Sequence, residues 1–420
     1  MALNLSPRGP LWRHGDFLKL WGAQTVSDFG ARITREGVPY AAVLTVGANP
    51  VQMGFLAALS LGPSVAVGLM AGGLVDRSRR RRVLIAADLA RAAVLAVIPL
   101  SAIMHWFSMA ELYVAAFIVG ALSVLFDIAD HAYLPSLVER SLITDANAKL
   151  AVTESVAEIG GPALTGLLVG LLTAPLAIAV NAVTYLASAA LLAGIRHAEA
   201  PPKPGPATTL ASDLRAGFKV AMGEPLVRAP FLTNLVTGFF GAAFSTCYML
   251  FAIRVLGFPP ALLGLVIAMG GVGALAGALT FTALSRAIGL GPATVVSGIV
   301  SAASALLIPA AGGSLALALA MMIASQLLGD SFGVAVIIGS KSLQQAVLPP
   351  GVLGRAGAAM RAAAGAAGVV GALAAGFTAV RIGVRPTLFI GAAGLVAAQI
   401  FLIASPLMRL RMLPPSASAV

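Results

Sequence analysis

Residues 72–82 read Gly-Gly-Leu-Val-Asp-Arg-Ser-Arg-Arg-Arg-Arg and stand between two apolar runs, 51–75 and 82–104. Each run is long enough for a helix that crosses the hydrocarbon core of a bilayer, which takes about 20 residues. The arginines between them are typical of a loop on the inner side of a membrane, where Lys and Arg accumulate. The stretch therefore predicts a helical hairpin in a membrane protein.

The composition of the chain indicates the same class of protein. Of 420 residues, 59% are hydrophobic and only 10% charged, whereas a soluble domain carries about 25% charged residues. A soluble enzyme, a disordered protein and a coiled coil are excluded. An outer-membrane barrel is disfavoured because the apolar runs are continuous rather than alternating. Gly and Pro, 46 and 25 residues, are tolerated in membrane helices.

Apolar runs between charged and Gly/Pro-rich stretches predict twelve spans, with a few residues of error at each end. They are 17–46, 51–75, 82–104, 111–137, 149–172, 175–196, 229–256, 260–286, 291–311, 314–343, 353–380 and 385–410. The predicted fold is an all-α membrane protein with two pseudo-symmetric six-helix bundles. The expected domains are a first bundle in 1–196, a cytoplasmic linker with a short amphipathic helix in 197–228, a second bundle in 229–410 and a flexible tail in 411–420.

The basic residues predict the orientation of these spans. Twenty of the 27 Lys and Arg residues fall in segments on the side of the N-terminus, and three, Arg254, Arg381 and Arg385, fall in the opposite loops. Under the positive-inside rule both termini are cytoplasmic, in the inner, or plasma, membrane. The net charge of +11 thus reflects orientation and gives no indication of nucleic-acid binding. The first span is expected to be an uncleaved signal anchor.

The two halves of the chain resemble each other at an offset of about 210 residues. Residues 142–166 align with 352–376, which places Gly161 on Gly371 and Gly166 on Gly376. Each match is weak by itself, but the offset equals half the chain and indicates an ancient duplication. Both halves begin inside, as expected for two six-helix bundles related by an axis along the membrane normal.

The loop at 72–82 resembles the signature of the major facilitator superfamily, close to G-x-L-a-D-r-x-G-r-[RK], with Arg79 in place of the second glycine. The resemblance implies a gating role for this loop, in which a short acidic and basic turn releases when the two bundles rock apart. The implied gating residues are Gly73, Leu74, Asp76, Arg77, Arg80 and Arg81. The alternative is an ordinary positive-inside loop, which would explain the arginines but not the G-x-L-x-D-R before them.

Further stretches resemble one branch of that superfamily. Residues 158–166, with Gly161, Pro162 and Gly166, resemble a helix-packing element of drug antiporters, although a generic small-residue packing face explains them equally well. With 24–30, 134–148 and 342–358, they resemble the twelve-helix drug:proton antiporter-like group that includes macrolide efflux proteins and the enterobactin exporter. The resemblance extends from about 12 to 410 and implies a transporter, without specifying its substrate.

Charged residues within spans are costly and usually functional or paired. In the first span, Asp28, Arg32, Arg35 and Glu36 share one helical face, and Asp28 falls near mid-membrane. Asp28 is the preferred proton-coupling candidate, with Arg32 modulating it. The alternative is a self-neutralising ladder that orients the helix.

Other spans supply further candidates for proton coupling. They are Asp127, beside Asp130 and His131 in span four; Glu154 and Glu158 in span five, with a Glu–Arg361 bridge as one interpretation; and Asp330 in span ten, with Lys341 on the same face. His131 could relay protons, but is equally explained as a boundary residue. Asp88 and Arg91 are expected to form a structural pair.

By the family resemblance, substrate-cavity residues come from the first, fourth, seventh and tenth spans. The candidates are Gln24, Arg32, Asn234, Phe240, Tyr248 and Gln326. A few polar groups on an apolar wall suit an amphipathic organic ligand, although polar residues in helix packing are the alternative.

The sequence has no zinc-protease, nucleophile-elbow or phosphate-loop motif, so we expect no enzyme activity, cofactor or metal site. The function that the family resemblance implies is proton-coupled efflux of a small drug-like compound by alternating access. The expected partners are that small molecule, protons and the lipid bilayer, with the protein as a monomer. The alternatives are export of an endogenous metabolite, such as a siderophore or a lipid-like molecule, and a transporter-like membrane sensor or scaffold.

Overall fold

A computed structural model describes residues 10–67, 75, 77–197, 199 and 210–411. This part of the chain is built of helices and short connections, without a β-strand. The chain divides into two compact units. Unit 1 comprises Met1–Gly47 with Ala66–Ala207, and unit 2 comprises Ala48–Val65 with Thr208–Val420.

Six long helices precede the central linker. They are α1 (Gly15–Tyr40), α2 (Pro50–Ala66), α3 (Arg80–Ile103), α4 (Met109–Leu137), α5 (Ile143–Leu171) and α6 (Ala174–Ala193). After the linker come the short α7 (Leu210–Gly223) and six further helices. These are α8 (Pro225–Leu250), α9 (Pro260–Ile288), α10 (Leu290–Ser304), α11 (Leu315–Val347), α12 (Pro350–Ile382) and α13 (Val384–Ala398).

Among the described residues, nine helical segments are long and apolar enough to span a membrane. Large apolar side chains are exposed on several of them, for example Leu100, Val183 and Leu279, as expected for lipid-facing surfaces. The helices α1 and α5 fall outside the nine although they have 26 and 29 residues. Charged side chains lower the mean apolarity of these two helices. They include Asp28, Glu154 and Glu158, which the sequence identifies as candidates for proton coupling.

The second helix packs in unit 2, whereas the sequence places it in the first bundle of 1–196. Its close neighbour is α12, and glycines on both helices allow the approach. A Cβ at Gly54 would lie 2.7 Å from the Ala372 carbonyl oxygen, and one at Gly376 would lie 2.8 Å from that of Pro50. Backbones can come this close only where side chains are missing.

The predicted internal repeat is confirmed by the helix boundaries. Adding 210 to the first residues of α1, α2, α3 and α6 gives the first residues of α8, α9, α10 and α13. Both α1 and α8 continue into a π-helical turn, Ala41–Val46 and Phe251–Val255. Each turn is followed by a glycine of positive φ, Gly47 at 75° and Gly257 at 70°.

One helix contact recurs in both halves with the residue sizes exchanged. On α1, a Cβ at Gly30 would overlap Thr184 Oγ1 of α6. At the positions 210 residues later, the ring of Phe240 on α8 fills the space over Gly394 of α13. The larger residue is thus on the second helix in unit 1 and on the first helix in unit 2, so the packing geometry persisted while the side chains changed.

Candidate functional site

The ionisable residues of unit 1 concentrate on three helices, α1, α4 and α5. Asp28 is the fourteenth of the 26 residues of α1 and is half-buried. It interacts electrostatically with Glu154, Asp130, Arg32 and Asp127. The structure therefore brings together the carboxylates that the sequence identifies in spans one, four and five.

Two arginines of α1 neutralise one carboxylate of α5. Arg32 Nη2 forms an ion pair with Glu158 Oε2, and Arg35 Nη2 lies 3.2 Å from Glu158 Oε1. Arg35 Nε also lies 3.3 Å from Glu36 Oε1. These four side chains form a network of two cations and two anions. The charged face of α1 is thus neutralised partly by itself and partly by α5, with Glu158 paired inside its own unit.

Gly161 makes room for this network. A Cβ at this position would lie 2.5 Å from Cβ and 2.8 Å from Cγ of Arg32. The aliphatic part of Arg32 therefore lies directly on the backbone of α5, which directs its guanidinium along the helix toward Glu158. Pro162 and Gly166 are also buried on α5, consistent with the packing role predicted for this element.

Asp130 and Asp127 occupy neighbouring positions on α4. Gln24 Nε2, on α1, donates a hydrogen bond to Asp130 Oδ1. His131 Nδ1 lies 2.7 Å from the carbonyl oxygen of Asp127. Because a carbonyl only accepts, Nδ1 carries the proton, and Nε2 of the neutral ring is left as the acceptor. His131 is exposed, so this nitrogen is accessible.

Four carboxylates of this cluster differ from Glu158 in forming no direct ion pair within the described part of the chain. Across the described residues, the ion pairs of α1, α3 and α5 involve Asp16, Glu36, Asp88 and Glu158. Asp28, Asp127, Asp130 and Glu154 take part in none of them. We call these four residues the unpaired carboxylates.

Asp88 and Arg91 form the ion pair that the sequence predicts within α3. Their side chains are 0% and 3% exposed, and Arg91 Nη2 donates to Asp88 Oδ1. The guanidinium carbon lies 4.3 Å from the ring centre of Phe126 and 4.2 Å from that of Tyr185. A second donor nitrogen reaches Ser123 Oγ at 3.2 Å. The pair joins α3 to α4 and α6.

Arg80 and Arg81 of the candidate gate contact the chain that leaves α6. Arg81 donates to the carbonyl oxygens of Leu192 and Ala193 at the end of that helix, where the helix dipole favours a cation. The backbone N–H groups of Arg80 and Arg81 donate to the carboxylate of Glu199 at 2.9 and 3.3 Å. Arg77 is exposed, and Gly73, Leu74 and Asp76 lie outside the described residues.

Glu199 is a structural residue that the sequence reasoning missed. It caps the first turn of α3, where N–H groups lack helical partners. Asp16 acts similarly on the following chain by accepting from the N–H groups of Arg196 and His197. In the sequence, Glu199 is distinguished only as an acidic residue shortly after span six, at the start of the predicted cytoplasmic linker.

In unit 2, Asp330 and Gln326 lie one turn apart on α11 and face α9. A Cβ at Gly270 would overlap Asp330 Oδ2 and would lie 3.3 Å from Gln326 Nε2. The missing side chain of Gly270 thus provides the space for the carboxylate. Lys341 is exposed near the C-terminal end of α11.

The remaining cavity candidates of unit 2 occupy different environments. The ring of Phe240 packs on Gly394 and lies edge-to-face with Phe239 at 5.0 Å, which is the helix-packing alternative. Asn234 is exposed on α8, Tyr248 is partly buried there, and Arg361 is exposed on α12.

Comparison with known proteins identifies the family. The profile of a family described as a transmembrane secretion effector matches residues 5–418. A transporter of the major facilitator type from Bacillus subtilis (strain 168), named YfiS and described as uncharacterized, is 26% identical over 409 residues, covering 89% of each chain.

Solved structures with the same fold are transporters. A mutant of the nucleoside transporter NupG superposes with a TM-score of 0.77 at 10% identity, covering 93% of this chain and 99% of the other. A bacterial homologue of the iron transporter ferroportin, facing inward, gives 0.73 at 16% identity, covering 94% and 99%. At these identities the likeness extends to the fold alone. The chain belongs to the transmembrane secretion effector family, within the major facilitator superfamily of membrane transporters.

Proposed function

We propose that this transporter exports a small amphipathic organic compound in exchange for protons, by alternating access of a central site. The observation that carries the proposal is the group of unpaired carboxylates, Asp28, Asp127, Asp130 and Glu154, on membrane helices of unit 1. A charged side chain at mid-membrane costs about 2.5–3.5 kcal/mol on insertion scales. Carboxylates kept in membrane helices without a direct ion pair are sites that a proton or a positively charged group can occupy.

Asp28 is the proposed coupling residue because of its position along α1 and its interactions with the other unpaired carboxylates. It lies halfway along α1, about 20 Å from the first residue at 1.5 Å per residue. It also interacts with the three other unpaired carboxylates. Proton uptake by Asp28 neutralises it and lowers the cost of the occluded state, and substrate competes for the same position. Asp127, Glu154, Glu158 and Asp330 are second candidates.

Arg32 connects this site to α5. It lies one turn from Asp28 and forms the ion pair with Glu158. Arg32 is attracted by Asp28 on its own helix and by Glu158 on α5. Neutralisation of Asp28 therefore leaves Glu158 as the stronger attraction on Arg32. In this proposal the Arg32–Glu158 pair transmits the protonation state of α1 to its neighbour.

The environment of the transporter follows from the charge distribution. We propose a monomer in the inner membrane. The orientation with both termini in the cytoplasm is supported by twenty of the 27 basic residues, which fall in the segments predicted on that side. The residues 73–81 act as the cytoplasmic gate, and the segment 197–228 links the two halves of the chain. Gln24 in unit 1 and Asn234, Tyr248 and Gln326 in unit 2 are the proposed polar contacts of the substrate.

The test is transport by purified protein in liposomes with an imposed pH gradient, using ethidium, a macrolide and an iron-chelating catechol as probes. We expect substrate-dependent proton movement with at least one of the first two. The variant Asp28→Asn should lose gradient-driven uptake and keep downhill exchange. The control Asp145→Asn changes an exposed acid in the first turn of α5 and should behave as wild type.

Two results would overturn the proposal. Wild-type protein that moves no protons with any probe would contradict proton-coupled transport. Full gradient-driven transport by Asp28→Asn would contradict the assignment of that residue. Proton movement with the catechol alone would replace the drug-like substrate by a siderophore-like metabolite.

A further inference from the structure

The helix α7, between the two six-helix groups, has two faces of opposite character. One face packs into unit 2. A Cβ at Gly217 would overlap the carbonyl oxygen of Arg355 on α12, and Ala221 is fully buried. Ala221 belongs to an apolar cluster with Phe231 and Met360, among others. The helix is therefore held rigidly against α8 and α12.

The other face of α7 is basic and aromatic. Arg215, Phe218 and Lys219 are exposed and are spaced i, i+3 and i+4, so they lie side by side. Phe218 is 47% exposed although its ring also lies edge-to-face with Phe231 at 5.3 Å. Arg228, in the first turn of α8, is exposed as well. An exposed phenyl ring between two cations is typical of helices at a membrane surface.

The neighbouring acid does not neutralise this face. Glu224 caps α8, and its Oε1 accepts from the N–H of Leu226 at 3.5 Å. In the described part of unit 2, no ion pair involves Arg215, Lys219 or Arg228. Among the described side chains the three cations therefore have no acidic ion-pair partner, and all three are exposed to a ligand.

The length of α12 places α7 at the level of lipid headgroups. Its 33 residues extend about 50 Å, roughly 20 Å more than the hydrocarbon core. Divided evenly, this leaves about 10 Å of helix beyond the core at each end. Arg355 and Ala356, against which α7 packs, are about 8 Å from the first residue of α12. The cations of α7 are thus at the depth of phospholipid phosphates.

We propose that this face of α7 is a binding site for an anionic phospholipid. Arg215 and Lys219 contact the phosphate, Phe218 inserts beside the acyl chains, and Arg228 contributes to the local positive potential. Anionic headgroups are the complementary partner for several clustered cations at this depth. The site is separate from the unpaired carboxylates, and its test does not depend on transport.

The test measures lipid binding to the full-length protein in detergent micelles by native mass spectrometry. Dioleoyl-phosphatidylglycerol is the anionic probe. Dioleoyl-phosphatidylcholine serves as the zwitterionic lipid for comparison, and glycerol phosphate serves as a soluble phosphate without acyl chains. We expect phosphatidylglycerol to bind more tightly than either. The double variant Arg215→Gln with Lys219→Gln should weaken its binding roughly thirtyfold, since it removes two interfacial cations.

The matched control is Arg254→Gln with Arg381→Gln, which removes two exposed cations of the same unit, one just after the last residue of α8 and one in the last turn of α12, whereas α7 contacts the first turns of these helices. Its affinity for phosphatidylglycerol should remain within about twofold of wild type. Equal thermal stability of both variants in phosphatidylcholine verifies folding. Equal binding of both lipids, equal competition by glycerol phosphate, or equal loss in the two double variants would each overturn the proposal.

Discussion

The buried pair Asp88–Arg91 allows the sharpest prediction of stability. Substitution of Asp88 by Asn retains the shape of the side chain but removes the negative charge. Arg91, only 3% exposed, then keeps its charge between the rings of Phe126 and Tyr185 with a neutral partner. Loss of one member of a buried pair costs about 3–5 kcal/mol, whereas surface pairs contribute about 0–1 kcal/mol.

Most of that cost is the isolated charge, so a second substitution should relieve part of it. We expect Asp88→Asn to lower the free energy of unfolding by about 3–5 kcal/mol. The double variant with Arg91→Gln should lose less than the sum of the two single variants, because no charge remains buried. The cation–π contacts, worth up to about 2 kcal/mol when desolvated, are lost with Arg91 and therefore remain part of the cost of the double variant.

The assay is unfolding of detergent-solubilised protein in increasing dodecyl sulfate, followed by circular dichroism. Arg140→Gln, which removes an exposed arginine of unit 1, is the matched control and should change stability by less than about 0.5 kcal/mol. If Asp88→Asn is as stable as this control, or if the two single substitutions are strictly additive, the reasoning from burial is refuted.

Two further substitutions test other contacts in unit 1. Gly161→Ala should lower the free energy of unfolding by about 1–3 kcal/mol through overpacking, and it should reduce gradient-driven transport by displacing Arg32 from Glu158. The control is Gly22→Ala, whose Cβ would make an ordinary contact at 3.5 Å. Equal behaviour of the two variants would contradict the role of Gly161. Glu199→Ala should lower the free energy of unfolding by about 1 kcal/mol because it removes the cap of α3. Glu199→Gln should lower it by less, because the amide keeps an acceptor oxygen. Unchanged unfolding of the alanine variant would exclude a capping role.

The sequence was sufficient to predict the helices and the repeat. Apolar runs separated by basic loops determine where helices cross a membrane, and this information is local. The offset that placed Gly161 on Gly371 reappears in the first residues of the helices. The charged face of α1 was also predictable, because four ionisable residues at i, i+4, i+7 and i+8 must share a side of a helix.

The partners of those residues were not predictable, because helix periodicity gives a face but not the neighbour that faces it. A bridge from Glu154 or Glu158 to Arg361 was one interpretation of span five, whereas Glu158 pairs with Arg32 and Arg35. Phe240 suited a cavity wall by type, and its ring fills the space over Gly394. Glu199 required knowledge that the chain after α6 returns to the start of α3. Each depends on packing between distant segments.

The paired π-helical turns show that the two halves share an irregularity as well as their regular helices. A π-helical turn holds one residue more than an α-helical turn, so the residues after it are rotated relative to an uninterrupted α-helix. Phe251–Val255 begins 210 residues after Ala41–Val46, and Gly257 and Pro260 follow at the same spacing as Gly47 and Pro50. Both halves therefore leave their first helix at equivalent positions and enter the next one after connections of equal length.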